Sequence, residues 1–297
     1  MQEVLGMLSI MWLPFLACLV LVTILAYLGI HILTHGVIFV DLALAQIAAL
    51  GATVAVLLGH EMDSGHAYAL GLAFTFVGAC VFAFSRVRYE GVPQEAIIGV
   101  TWAVASSAAI LTVSKAPHGA EDIQSLLVGS ILWVRGTDVA RVAGIFAAVG
   151  VFHWVFRQRF FHITLDPDGS VREGVRVRLW DFLFYASFGV VVTTAVKLAG
   201  VLLVFSFLIV PSILGVLFAR GIRNRLLMGW LAGWLVSVVG CIVSYKADLA
   251  PGATIVCTFG VVLLVALLLR RMRGLDAAQL PVASAEDDPV RRLARRH

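Results

Sequence analysis

The sequence predicts an all-α polytopic membrane protein with eight or nine transmembrane helices. Three observations lead there. The 297 residues are 61% hydrophobic and only 13% charged, whereas an average soluble domain carries about 25% charged residues. The apolar residues gather into runs of roughly 20, the length at which a helix crosses a bilayer. The basic residues lie at the ends of these runs, and mostly on one side. Only helices and closed barrels satisfy their backbone in hydrocarbon, and runs this long are helices.

The first run, 11–33, carries His31 and His35 near its end, four residues apart and so on one helix face. An interfacial role is the expectation for that pair. The second run, 38–59, holds Asp41, Gln46 and Gly51. A polar stretch from His60 to His66 leads to the third run, 67–85. The fourth, 95–114, opens on Glu95 and carries Ser106 and Ser107 deeper in. Residues 116–137 combine His118, Glu121 and Asp122 with an apolar run too short to span, which suggests a re-entrant or interfacial helix. The fifth run is 138–156. Then comes an arginine-rich loop, 157–180, in which Asp166-Pro167 opens and Gly174 closes a short segment able to form a helix outside the membrane. Runs 181–198 and 200–219 follow, the latter holding Pro211. The break at 197–200 is either a tight outer turn, giving nine spans, or an interruption within a broken pair, giving eight. Run 226–246 contains the close-packing pattern Gly229-x-x-x-Gly233, and 253–271 is the last. The chain thus reads as one membrane domain, 1–273, with a flexible cytoplasmic tail, 274–297.

Charge orients the set. Arg86 and Arg88, five arginines of the long loop, Arg220, Arg223, Arg225 and the basic residues from Arg270 onward fall on one side. They make up 17 of the 22 Lys and Arg. Cytoplasmic loops carry this excess, so the long loop and the C-terminus face the cytoplasm and the N-terminus lies outside. Lys115, Arg135, Arg141, Lys197 and Lys246 are the exceptions. The first residues lack a basic stretch, so no cleaved signal peptide is expected. The net charge of +4 arises at span ends and is no nucleic-acid signature. Cys18, Cys80, Cys241 and Cys257 are scattered through apolar runs and read as small buried hydrophobes.

The sequence holds no Gly-Lys pair, and so no P-loop; it also lacks Gly-x-Ser-x-Gly and His-Glu-x-x-His. The chain is therefore neither its own ATPase nor a recognisable hydrolase. A structured helix on the cytoplasmic face of such a protein points instead to a transporter driven by a separate motor subunit. Asp41 is the most telling acid, because a carboxylate inside an apolar run is expensive and commonly functional. The plainer reading is an acid near the inner end of its span, hydrated or paired with an arginine. Asp41, Gln46 and Glu95 are the candidates for a translocation pathway. His60, His66, His118, Glu121 and Asp122 are candidates for an outer mouth, since imidazoles and carboxylates suit zinc and manganese.

Three stretches resemble the membrane permeases of zinc, manganese and iron ABC importers, the ABC-3 family: residues 37–51; Glu95 to Gly99 with 126–133; and 166–175 through Trp180-Asp181 to the run ending at Pro211. The resemblance covers about residues 12–272. It implies the all-helical fold of ABC importer permeases and no permanently bound cofactor, the divalent metal being the transported substrate. The implied partners are a cytoplasmic ABC ATPase, an extracytoplasmic metal-binding protein, a second copy of the permease and membrane lipid, with no nucleic acid. The implied location is the bacterial inner membrane. Asp166, Pro167, Arg172, Gly174 and Arg176 would meet the ATPase. One departure stands out. Many members carry Asp-x-x-x-His in the second span, but aligning Gly51 with the family glycine puts Leu42 and Gln46 at those places, with Asp41 one residue away. A permease for a metal chelate or another ion, or an ATP-independent secondary carrier, is the alternative.

Overall fold

The structure is a computed structural model that describes residues 2–85, 93–114, 129, 131–165 and 167–272. In chain order its helices are α1 (Gln2–His35), α2 (Val40–Leu57), α3 (Gly65–Ser85), α4 (Gln94–Val113), α5 (Gly136–Val155), α6 (Arg157–Leu165), α7 (Pro167–Arg172), α8 (Val177–Ala199), α9 (Val201–Phe218), α10 (Ile222–Ala247) and α11 (Pro251–Met272). A single 3₁₀ turn, Ile131–Trp133, precedes α5. Among the described residues nine helices are long and apolar enough to cross a membrane, and together they make this a multi-pass membrane protein. They match the nine expected runs one for one, so the eight-span alternative falls away. Gly200 decides it. Its φ of 79° ends α8 and begins α9 within one residue, a backbone conformation that favours glycine.

Contacts join helix ends that the expected orientation puts on one side. At the outer ends, Lys197 Nζ donates to the Asp63 carbonyl oxygen at 2.9 Å, tying the end of α8 to the α2–α3 loop. At the inner ends, Arg270 of α11 donates to the Leu217 carbonyl oxygen of α9 at 3.4 Å. Of residues 116–137, 116–128 and 130 lie outside the described residues, as do Arg86, Arg88, Lys115 and the tail. What is described of that stretch is Gly129, the 3₁₀ turn and the start of α5.

The bundle has two halves. In one, α2 packs on α3 and α4, and α3 on α8. In the other, α1, α10 and α11 gather around α9. Small residues set the spacing. A Cβ on Gly51 would lie 2.6 Å from the Leu70 carbonyl oxygen and 2.9 Å from Gly71 Cα, so α2 and α3 touch backbone to backbone there. Gly233 of the GxxxG pattern likewise abuts Val22 of α1, and Trp230 donates to the Thr23 carbonyl oxygen at 2.8 Å. Side chains such as Leu25, Leu28, Phe82, Phe188, Phe207 and Phe259 fill the interior. By contrast α4 and α5 bury only 17% and 22% of their spans, against 67% for α1 and α8. The exposed faces are apolar, with Val100, Trp102, Val104 and Leu111 outward on α4, as surfaces in hydrocarbon must be.

Candidate functional site

Asp41 lies in the first turn of α2, where a carboxylate is favoured by the unsatisfied N–H groups of the helix start. It is 2% exposed, and among the described residues its Oδ1 has no hydrogen-bond partner. The acid is thus buried inside the bundle rather than hydrated at its edge. Three and seven residues on, Leu44 abuts Gly78 and Gly189, and Ala48 abuts Gly71. Residues at this spacing share a helix face, so Asp41 sits on the flank of α2 that packs on α3 and α8. Gln46 does not share that flank. Five residues turn a helix through about 500°, which leaves Gln46 about 140° away from Asp41. It is half-buried.

Glu95 opens α4 and is half-buried. Its neighbour Gln94 donates to the Phe82 carbonyl oxygen at 3.2 Å and to the Tyr185 hydroxyl at 3.3 Å, pinning the start of α4 to α3 and α8. Ser106, farther along α4, has a buried Oγ without a hydrogen-bond partner among the described residues.

Between the end of α2 and the start of α3, His60 and His66 stack with ring centroids 4.3 Å apart and planes 9° from parallel. His118, Glu121 and Asp122 lie outside the described residues. Among the described residues, no three or more His, Cys, Asp or Glu side chains are gathered as a metal site.

The short segment before Gly174 forms a helix, as expected. Pro167 begins α7, where its missing N–H costs nothing. Gly174, with φ 75°, ends the segment in a conformation few other residues adopt. Arg172 and Arg176 are exposed around it; Asp166 lies outside the described residues. Gly169 and Ser170 do not prevent a helical turn here.

The largest surprise is at the inner ends of α1, α5, α6 and α8. His31 is not interfacial. It is fully buried, with Nδ1 3.1 Å from Thr164 Oγ1 of α6, while His35 Nε2 lies 2.8 Å from the same oxygen. The two histidines share a face, and α6 lays its apolar side against that face. His31 stacks on Phe161 at 4.5 Å. His153 of α5, also buried, forms a second set of bonds. Its Nε2 is 2.8 Å from Ser187 Oγ and its Nδ1 is 3.4 Å from the Tyr27 hydroxyl. Ser187 donates to the Phe184 carbonyl oxygen at 3.0 Å. That uses its one hydrogen, so His153 Nε2–H donates to Ser187 and Nδ1 accepts from Tyr27. Buried Asp181 lines a small cavity beside His35 and Thr164. Sequence reasoning missed His153, Thr164 and Ser187. The available signal was the spacing Tyr27, His31, His35, which puts three polar rings on one face of an apolar helix.

A family model described as the ABC 3 transport family matches residues 7–270. The manganese import system permease protein ScaB of Streptococcus parasanguinis is 25% identical over 221 residues, covering 71% of this chain and 78% of the relative. A probable iron transport system membrane protein of Haemophilus influenzae is 26% identical over 208 residues, 70% of this chain and 73% of the relative. A solved structure, PsaBC from Streptococcus pneumoniae in complex with Fab, is similar with TM-score 0.74 and 19% identity, over 100% of this chain and 99% of that chain. At that identity the likeness is one of fold.

Proposed function

The chain belongs to the ABC 3 transport family, and on that footing we propose that it is the permease of an ATP-driven importer for a divalent metal ion, manganese or zinc. The chain is a transport permease and not an enzyme. The observation that carries the reading is the family match, which runs through the whole membrane domain and across α7. Hydrolysis belongs to a cytoplasmic ABC ATPase that docks on α7 and the arginines around it. An extracytoplasmic metal-binding protein delivers the ion, and a second permease copy covers part of the apolar surface. Relatives named as manganese permeases favour manganese, while one named for iron keeps the choice of ion open.

In this reading the ion is received beside the His60–His66 pair and leaves past the inner ends of α2 and α4. Asp41 is the pathway acid, with Glu95 beside the exit and Gln46 on a separate flank of α2. A buried carboxylate without a cationic partner among the described residues suits a passing cation, whose charge offsets the cost of keeping the acid ionised. Oxygen donors hold manganese and zinc loosely, which suits conduction. The test is uptake by proteoliposomes holding the permease and its ATPase, supplied in turn with Mn²⁺, Zn²⁺ and a ferric chelate together with the binding protein. ATP-dependent uptake of Mn²⁺ or Zn²⁺ is expected. Uptake of the chelate alone, or uptake independent of ATP, would instead support the chelate permease or the secondary carrier.

A further inference from the structure

Helix α6 has only nine residues and joins α5 to α7. Its inward face is Phe160, Ile163 and Thr164, all buried. Phe160 stacks on His153 at 4.4 Å, Phe161 on His31 at 4.5 Å, and the Thr164 hydroxyl reaches both His31 and His35. A hydroxyl has one hydrogen and accepts through two lone pairs. It donates to one imidazole only, so the other must donate to it. The Nε2 of His31 is buried with no partner among the described residues. A bare lone pair there costs less than a stranded N–H, because a second acceptor is easier to leave unmet than a donor. His31 therefore carries its hydrogen on Nδ1 and donates to Thr164, and Thr164 donates to His35. The two bonds run in one direction and fix the tautomer of His31.

Helix α1 presents another flank to the second half of the bundle. The Ser212 hydroxyl of α9 is shared between the carbonyl oxygens of Leu208 at 2.7 Å and Ala26 at 3.1 Å, Trp230 of α10 donates to that of Thr23 at 2.8 Å, and Gly29 packs against Leu208 of α9. The same helix is thus hydrogen-bonded to α6 on one side and to α9 and α10 on the other. Buried hydrogen bonds are directional and costly to leave unmade, so α6 and α1 move together more tightly than apolar packing alone would require.

We propose that Thr164 is a positioning residue for transport: its hydroxyl, bonded to His31 and His35, transmits displacement of the α6–α7 segment to α1. The proposal rests on the reading that the ATPase docks at α7. The test uses the complete transporter in proteoliposomes, with metal ions imported per ATP hydrolysed as the readout and co-purification of the ATPase as the check on assembly. Thr164→Val keeps the shape and removes the hydroxyl; it is expected to retain hydrolysis within about twofold and to lose tenfold or more of transport per ATP. Thr164→Ser restores the hydroxyl and is expected to recover most of the ratio. A normal ratio in Thr164→Val, or a Thr164→Ser variant as poor as the valine, overturns the proposal. If Thr164→Val fails to assemble, His35→Leu, at a half-buried site, replaces it with the same expected loss, and a normal ratio there overturns the proposal equally. The premise is tested separately by Arg172→Glu with Arg176→Glu. Normal coupling in that double variant removes the docking reading and this proposal with it, whereas uncoupling there with normal Thr164→Val and His35→Leu variants removes this proposal alone.

Discussion

Replacing Asp41 with Asn tests whether its buried charge serves the transported ion. The two side chains have nearly the same volume, so the change opens no cavity between α2 and α3. It removes a charge whose carboxylate is 2% exposed and whose Oδ1 has no hydrogen-bond partner among the described residues. Two structural effects follow, with opposite signs. Neutralising the acid relieves its desolvation, for which insertion scales give about 2.5–3.5 kcal/mol at a span centre and less toward an end. It also gives up the favourable interaction with the helix start, about 0.3–1 kcal/mol. Assembly should therefore hold or improve. A hydrogen bond from the ion's hydration water to an ionised acceptor contributes about 1.5–3 kcal/mol, which corresponds to roughly 10- to 150-fold in the metal concentration giving half-maximal uptake. The assay is the initial rate of ⁵⁴Mn²⁺ uptake against concentration in proteoliposomes, with ATPase co-purification measured on the same sample. Half-saturation within twofold of wild type and an unchanged maximal rate would refute the reasoning and reduce Asp41 to a helix-start residue. The ion's ligands would then have to be sought at His60 and His66.

Arg172→Glu combined with Arg176→Glu should leave the permease in the membrane and lower transport per ATP at least tenfold. Wild-type coupling in reconstituted vesicles would show that the ATPase docks elsewhere. Gly51→Val places a branched side chain where even a Cβ alone would lie 2.6 Å from the Leu70 carbonyl oxygen. Overpacking of this kind costs about 1–3 kcal/mol, so the purified variant should melt several degrees lower, and an unchanged melting curve would contradict the close α2–α3 contact. Ending the chain after Leu275 removes a tail of acidic then basic residues with little apolar surface to bury. Membrane integration and ATPase binding should persist, as detergent extraction and co-purification would report.

Most of the fold was legible because bilayer length and backbone satisfaction leave few solutions for long apolar runs. Each expected span has its helix, with most ends displaced by a few residues and α1 starting at Gln2, well before the expected residue 11. Runs 181–198 and 226–246 both begin earlier in the structure, at Val177 and Ile222, because arginines such as Arg178 and Arg223 continue the first turn at the cytoplasmic edge and keep their charge in water. The break at Gly200 was visible as a glycine after a lysine. Its outcome was not, since one glycine serves a turn and an interruption equally well. The segment closed by Gly174 was legible from Pro and Gly alone, which mark helix start and stop.

The site was harder, for a reason that lies in helix geometry. Sequence spacing states which residues share a face but not what that face meets. It gave Asp41 and Gln46 a common neighbourhood through their nearness along α2, yet five residues put them about 140° apart. It gave His31 and His35 a common face correctly, then assigned that face to the membrane edge because apolar helices end there. Their true partner, Thr164, comes from a nine-residue helix whose sequence, Arg-Gln-Arg-Phe-Phe-His-Ile-Thr-Leu, reads as a charged loop. Its apolar residues Phe160 and Ile163 share a buried face with Thr164, and burying that face is what draws the hydroxyl down onto the two imidazoles. Polar residues on an apolar span therefore say that a partner exists, and the partner is best sought on the short amphipathic segments outside the membrane. By that rule the Oγ of Ser106 on α4 and the Oδ1 of Asp41 on α2 are two of the buried polar atoms that lack a hydrogen-bond partner among the described residues. Both lie on helices of the same half of the bundle, α2 and α4, which pack on each other, and under the proposed function a hydrated ion would supply the missing contact.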